Sequence, residues 1–250
     1  MATSSQYEEF IKLQKLYPRT VSNDYLLPSE IQKKFEVGNF SFSADEKALF
    51  TFERREGFSR LIFRIVDETA QLPTHDGVLA AYLTYRDGRY PDASASWLRG
   101  QGFAYTRTLL RHTAEKITGE LSSEGIENAS ADEVYSMFGR YFDVVEVDFP
   151  SRELFDAEST YCVRSPDGEP LGIFYDMGRT RIIAVSFKAR RQGIGRRLYL
   201  AYAAAKLREN GNHVFHAWIN LANTASLALF RSIGFTPDTT MTDCFIRRGV

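Results

Sequence analysis

Two cysteines, four histidines and no long apolar run set the first limits on this 250-residue chain. Cys162 and Cys244 are too few for a disulfide scaffold and lack Cys-x-x-Cys or Cys/His metal spacing. Both are expected to pack as small apolar side chains, although Cys244 could also face a site in the second half. His75, His112, His213 and His216 are scattered. His213 and His216, three apart on a predicted strand, point to opposite faces, so no metal centre is expected. No segment approaches the length of a membrane span. The start, Met1-Ala-Thr-Ser-Ser-Gln-Tyr-Glu-Glu, lacks the basic opening and apolar core of a secretion signal, so the cytoplasm is the expected location. A formal net charge of -1 gives no electrostatic footprint for nucleic acid or a membrane surface. With 44% hydrophobic and 25% charged residues, the chain has ample core for one or two globular domains.

Acids are absent from one place in particular. Lys188 to Arg197 holds Lys188, Arg190, Arg191, Arg196 and Arg197 and no carboxylate, so positive charge is concentrated locally in a nearly neutral protein. Ahead of this block, Ile182-Ile183-Ala184-Val185 reads as a strand covered on both faces. Behind it, Ile194, Leu198, Ala201 and Ala205 recur at helical spacing, Lys206 and Arg208 lie in the last turn, and Gly211 follows as a stop. The helix therefore begins at Gly193 and Gly195, which carry no Cβ to obstruct an approach. The first amides of a helix lack intrahelical partners and sit at the positive end of its dipole, so the sequence predicts a seat for a diphosphate. A nucleoside-triphosphate loop would need Gly-Lys-Ser/Thr where this chain has Gly-Arg-Arg. A dinucleotide fingerprint would need a third small residue where it has Leu198, and an acid where it has Asn220.

Arg190-Arg191-Gln192-Gly193-Ile194-Gly195 resembles the Arg/Gln-x-x-Gly-x-Gly/Ala element of the GNAT superfamily of acyl-CoA-dependent N-acyltransferases, with Val185 in the register of the family's valine. Downstream, Asn223-Thr-Ala-Ser226-Leu-Ala-Leu229-Phe230-Arg-Ser-Ile-Gly234-Phe235 resembles the family's Asn-x-x-Ala-x-x-Leu-Tyr-x-x-x-Gly-Phe pattern. Tight turns and core packing explain each part of these motifs but not their joint spacing and order. The resemblance implies a mixed α/β GNAT-like fold.

The second half reads as a complete module, residues 129–250. It opens with the capping box Ser130-Ala-Asp-Glu133 and a helix through Val134, Tyr135 and Phe138, followed by a short helix around Ser151 to Phe155. Two strands flank Pro166-Asp167-Gly168. Then come the Ile182 strand, the Gly193 helix, a strand at His213 to Ile219, the Asn223 helix and a closing strand. A crossover this long predicts that the Ile182 and His213 strands run parallel in one sheet. Residues 115–128 read as a linker. In the first half, residues 1–114, Ala93 to Phe103 aligns on Ala225 to Phe235 with five identities in eleven positions at an offset of 132. That pattern favours a tandem duplication over an unrelated α+β domain. Its connection Asp67 to Gly77 has no Gly-x-Gly, no arginine and too few residues for a phosphate-binding helix, so the first half is expected to be a degenerate copy that seats no CoA.

By the resemblance, acetyl-CoA or another acyl-CoA is the co-substrate, with no metal. The amides of Gln192, Gly193, Ile194, Gly195 and Arg196 would cradle its diphosphate, Arg190, Arg191 or Arg196 would reach its phosphates, and Val185 and Asn223 would bind the pantetheine arm. The diverging strands of Val185 and Ile219 would leave the thioester carbonyl against a backbone N–H. The family commonly supplies a strand glutamate as base. Here His216 is the first candidate and Asp176 the second. Phe230 replaces the family's tyrosine that protonates the leaving thiolate, leaving water, Tyr199 or Tyr202 for that task. Asp143, Glu146 and Asp148, with Glu153, lie in the segment that lines the acceptor pocket in the family, and an acidic rim would attract a cationic amine. The expected activity is N-acetylation of a primary amine of a small molecule or protein. The alternative is a CoA-binding or interaction module without catalysis.

Overall fold

The structure is a computed structural model that describes residues 4–17, 21–24, 28–143, 145, 147–178 and 180–249. By their contacts the residues divide into two units, Met1–Thr108 with Asp148–Leu154 and Met241–Val250, and Leu109–Val147 with Phe155–Thr240.

The first unit begins with helices α1 (Ser4–Leu16) and α2 (Pro28–Val37), between which lies the two-residue strand β1 (Val21–Ser22). Phe10, Ile31 and Phe35 bury against Phe40, Leu49 and Ile62, and the ring edges meet ring faces at 5.1 Å for Phe35 and Phe40. Strands β2 (Phe40–Ala44), β3 (Ala48–Arg55) and β4 (Phe58–Ile65) form an antiparallel meander, and β5 (Leu79–Arg86) pairs parallel to β4 over Ser59–Leu79 and Arg60–Ala80. The connection between β4 and β5 contains no helix. Helix α3 (Asp92–Gly100) drives Trp97 between Phe50 and Phe63, and the indole N–H donates to the Ala70 carbonyl at 3.0 Å. Strand β6 (Ala104–Ala114) follows, and its residues divide between the units, as do those of the last strand, β11 (Thr236–Arg247). In this unit the strand order is β6-β11-β5-β4-β3-β2, with β1 beside β4.

The second unit begins, after the end of β6, with α4 (Ala131–Tyr141). The expected capping box is present: Ser130 Oγ accepts from the Glu133 amide, and Glu133 Oε2 accepts from the Ser130 amide at 2.8 Å. Arg164 binds the same carboxylate, which is held down to about 2 by that bond first of all. The expected helix at Ser151 to Phe155 is instead a 3-10 turn at Arg152–Leu154, with a second turn at Ala157–Ser159 capped by Asp156. Pro150 and an N-cap only six residues later leave no room for an α-helix. Strands β7 (Thr160–Arg164), β8 (Pro170–Asp176) and β9 (Arg181–Val185) make an antiparallel three-stranded sheet.

Helix α5 (Ile194–Asn210) packs on this sheet with Ile194, Leu198, Tyr199, Leu200, Ala201, Tyr202 and Ala203 buried. The approach is closest at Gly172, where a Cβ would stand 2.6 Å from Ile194 Cγ2. Strand β10 (Phe215–Asn220) begins after His213, which precedes the strand, and α6 (Thr224–Ser232) follows it. The parallel pairing expected of β9 and β10 is not formed: they lie in different sheets, and β10 pairs antiparallel with β6 from Phe215–Ala114 to Asn220–Leu109. Crossover length constrains handedness only where both strands share a sheet. The fold is therefore mixed α/β, with parallel and antiparallel pairings. No helix among the described residues is long and apolar enough to cross a membrane.

Candidate functional site

The site is built where β9 hands over to α5. Among the described residues strand β9 is the edge of its sheet, so its outer backbone groups have no strand partner there, and β10 likewise ends its own sheet. Val185 is the last residue of β9 and pairs with Gly172 on the inner side. Beyond it, a 3-10 turn at Phe187–Ala189 leads to Arg191, held at φ +66°, and to Gly193, held at φ +76° as the N-cap of α5. The left-handed conformation is costly for arginine and free for glycine.

Gly193 supplies no side-chain cap, and the first intrahelical bond in this turn runs from the Arg197 amide to the Gly193 carbonyl. The amides of Ile194, Gly195 and Arg196 therefore have no acceptor within the helix. A Cβ on Gly193 would meet nothing within 4 Å, so the space beside this turn is open. Ile194 is buried and anchors the turn from below, whereas Arg190, Arg191, Gln192 and Arg196 are exposed. Among the described residues none of Lys188, Arg190, Arg191, Arg196 and Arg197 pairs with a carboxylate. Arg196 and Arg197 instead reach the Thr118 and Glu124 carbonyls at 3.4 and 3.5 Å, Gln192 donates to the Lys188 carbonyl, and Arg190 reaches the Val185 carbonyl at 3.5 Å. Five cations without counter-ions among the described residues stand beside an uncapped helix start, an arrangement suited to an anion.

Helix α6 supplies the other wall. Asn223 is its N-cap, with Oδ1 accepting from the Ser226 amide at 3.0 Å. Leu229 and Val185 flank Gly195, since a Cβ there would lie 3.4 and 3.7 Å from their methyl groups. Phe230 is buried, its centroid 5.1 Å from both Tyr199 and Phe235. Tyr199 is fully buried and its hydroxyl has no partner among the described residues, while burial pushes the phenol well above its ordinary range.

The two candidate bases are not brought together. Gly172 and Phe174 of β8 touch α5, so Asp176 shares that face. It pairs with Arg181 at 3.3 Å and accepts from the Gly178 amide. Arg181 also donates to the Tyr202 hydroxyl at 2.7 Å. In β10 it is Phe215 that meets Tyr199 and Tyr202, which puts His216 on the opposite face. On that face Trp218 stands across from Arg111, and Arg111 binds Asp238 at 2.6 Å. Desolvation, followed by Arg111 and Arg181, holds His216 below its ordinary pKa, and its Nδ1 is buried without a partner among the described residues. The imidazole is therefore neutral near pH 7 and able to take a proton.

The acidic segment is divided. Asp143 is exposed and accepts from the Val145 amide. Glu146 lies outside the described residues. Asp148 belongs to the first unit, at φ +52°, with its carboxylate bound to Arg55 and to Arg60 at 3.1 Å. It is neutralised by two guanidiniums and offers no free charge, which the sequence, silent on Arg55 and Arg60 as neighbours, did not signal. Cys244 is buried, and burial pushes its thiol to about 11, so it is an inert packing residue. Among the described residues no group of three or more His, Cys, Asp or Glu is placed to hold a metal ion.

This arrangement has known parallels. The family described as FR47-like protein matches residues 173–245, which run from β8 through the turn before α5 into β11. A GCN5-related N-acetyltransferase from Sphaerobacter thermophilus superposes with a TM-score of 0.52 at 12% identity, over 90% of this chain and 88% of its own. The fold is the GNAT fold. A GCN5-related N-acetyltransferase from Kribbella flavida gives 0.51 at 16% identity, over 85% of this chain and 91% of its own. A Drosophila protein gives 0.57 at 15% identity, over 97% and 87%. No curated protein matches the chain.

The sequence missed the aromatic surroundings of Arg190. Its guanidinium lies 3.8 Å from the Phe187 centroid and 5.9 Å from that of Tyr141, and the two rings meet edge to face at 5.1 Å. Tyr141 is 46 positions away from Phe187 in the chain, so only the presence of an aromatic inside a basic loop hinted at it.

Proposed function

We propose that the chain is an acyl-CoA-dependent N-acyltransferase that moves an acetyl group from acetyl-CoA to a primary amine of a small molecule or protein by direct attack. The observation that carries this reading is the uncapped start of α5 beside five unpaired cations. The amides of Ile194, Gly195 and Arg196, with Gln192 and Gly193 in the turn before them, are suited to the diphosphate, and Arg190, Arg191 and Arg196 to the remaining charge. The open edge of β9 at Val185 suits the peptide-like pantetheine arm, and Asn223 has a side-chain amide left to donate once its oxygen has capped α6. Such a site works mainly by positioning.

The amine attacks the thioester carbonyl, the carbon–sulfur bond breaks, and an amide and the CoA thiol result. His216, neutral and on the face away from α5, is the base that takes the amine proton, while Asp176, bound to Arg181, is less available. Asp143, exposed after α4, would attract a cationic acceptor. We further propose that residues 129–250 carry the activity, that 115–128 link it to the first half, and that residues 1–114 are a degenerate copy without a CoA seat. In support, α3 and α6 start at the same offset of 132 as β6 and β11, and Gly102 and Gly234 both follow their helices at positive φ.

One observation favours a non-catalytic CoA-binding module: Phe230 presents no hydroxyl to a leaving thiolate. Calorimetry with CoA and thiol release from acetyl-CoA over an amine panel separate the readings. Binding with amine-dependent release supports the enzyme, binding without release supports the module, and absence of binding refutes both.

A further inference from the structure

We infer that Phe187 and Tyr141 are positioning residues that hold the Arg190 guanidinium at the mouth of the anion loop, ready for a phosphate group of acyl-CoA. This rests on the acyl-CoA reading above. Phe187 is 67% exposed, an unusual setting for a large apolar ring that contributes nothing to the core. What it does contact is Arg190, at 3.8 Å, on one side and the Tyr141 ring, at 5.1 Å, on another. Tyr141 closes α4 and is itself half-buried, which limits its movement. Among the described residues no other cation of the block lies over a ring. Arg196 meets only the Thr118 carbonyl among the described residues, whereas Arg190 is held between a π-face and the Val185 carbonyl.

An arginine fixed in advance loses less rotamer freedom when it meets its anion. A stack of this kind also orients the planar fork, which a phosphate reads in bidentate fashion. Because Phe187 is exposed, removing its ring perturbs this clamp and little else.

The test is calorimetric titration of the full chain with CoA. Phe187→Ala is expected to weaken CoA binding about three- to tenfold and to leave the melting temperature unchanged. Phe187→Trp, which keeps a π-face, is expected to retain wild-type affinity. In an Arg190→Ala background the Phe187→Ala change is expected to cost nothing more, because there is no guanidinium left to hold. Wild-type affinity in Phe187→Ala overturns the inference, as does a loss of equal size in the Arg190→Ala background, which would mean that the ring touches CoA directly. If the wild-type chain fails to bind CoA, the acyl-CoA reading falls and takes this inference with it. If wild type binds and the two losses simply add, only the inference falls.

Discussion

Gly195→Ala should make the protein more stable and leave CoA binding intact. Gly195 is the second residue of α5 and does not have a positive φ, so alanine adopts its backbone without strain. The new Cβ would meet Leu229 Cδ2 at 3.4 Å, Val185 Cγ2 at 3.7 Å and Ile183 Cγ2 at 3.8 Å, all ordinary van der Waals contacts. Replacing a helical glycine by alanine gains up to about 0.5–1 kcal/mol through lower chain entropy in the unfolded state. For a chain of this size that corresponds to a rise of roughly 1–4 °C in melting temperature. The added methyl lies against side chains of β9 and α6 that already pack there, and the motif that this loop resembles accepts alanine at this position. CoA affinity should therefore stay within about twofold of wild type, roughly 0.4 kcal/mol. Calorimetric titration with CoA alongside differential scanning calorimetry reads both quantities. A loss of about tenfold or more, roughly 1.4 kcal/mol, in a variant of equal or greater stability would refute the reasoning, since the methyl would then stand in the ligand's path.

The Glu133 carboxyl, at about 2 instead of its usual 4.5, contributes stability that is fully present above about pH 4.5 and is lost as pH falls toward 2. Urea midpoints of wild type and Glu133→Gln should therefore differ at pH 6 and converge near pH 2, and a constant difference would count against the Arg164 bond as the cause. His216→Gln should lower kcat while leaving CoA affinity intact. Because desolvation lowers the His216 pKa below 6.5, the wild-type rate limb due to this base should have its midpoint below pH 6.5, and a midpoint at pH 7–8 would point to another base. Phe230→Tyr should raise the acetylation rate by restoring a hydroxyl near the leaving group. An unchanged rate, together with abolition of activity in Tyr199→Phe or Tyr202→Phe, would relocate that site.

What the sequence made legible was local. The helix that starts at Gly193, the Ser130–Glu133 capping box and the turn at Pro166 to Gly168 each depend on residues within a few positions of one another, and all are found. What it concealed was non-local or thinly marked. Helices α1 and α2 bury only a few apolar side chains among many charges, so periodicity barely announces them. The separation of β9 from β10 depends on β6, more than a hundred positions before β10 in the chain, taking the hydrogen bonds of β10. The pairing of Asp148 with Arg55 and Arg60, and of Arg190 with Phe187 and Tyr141, joins segments that no spacing rule connects.

Helices α3 and α6 span nine residues each, start at one offset, and each is followed by a glycine at positive φ and a buried phenylalanine, Phe103 or Phe235. The halves differ upstream. Between β9 and β10 lies a helix with uncapped amides and five cations, whereas between β4 and β5 lie thirteen residues without a helix, occupied partly in accepting the Trp97 indole at Ala70. An anion seat of this kind consists of a helix N-terminus and little else, so loss of one connection removes it while the flanking βαβ core survives intact. On the proposed duplication the first half would keep the packing of the fold and lose its chemistry through that single segment. A CoA titration of the wild-type chain should accordingly saturate at one equivalent, and a stoichiometry of two would refute the degenerate-copy reading.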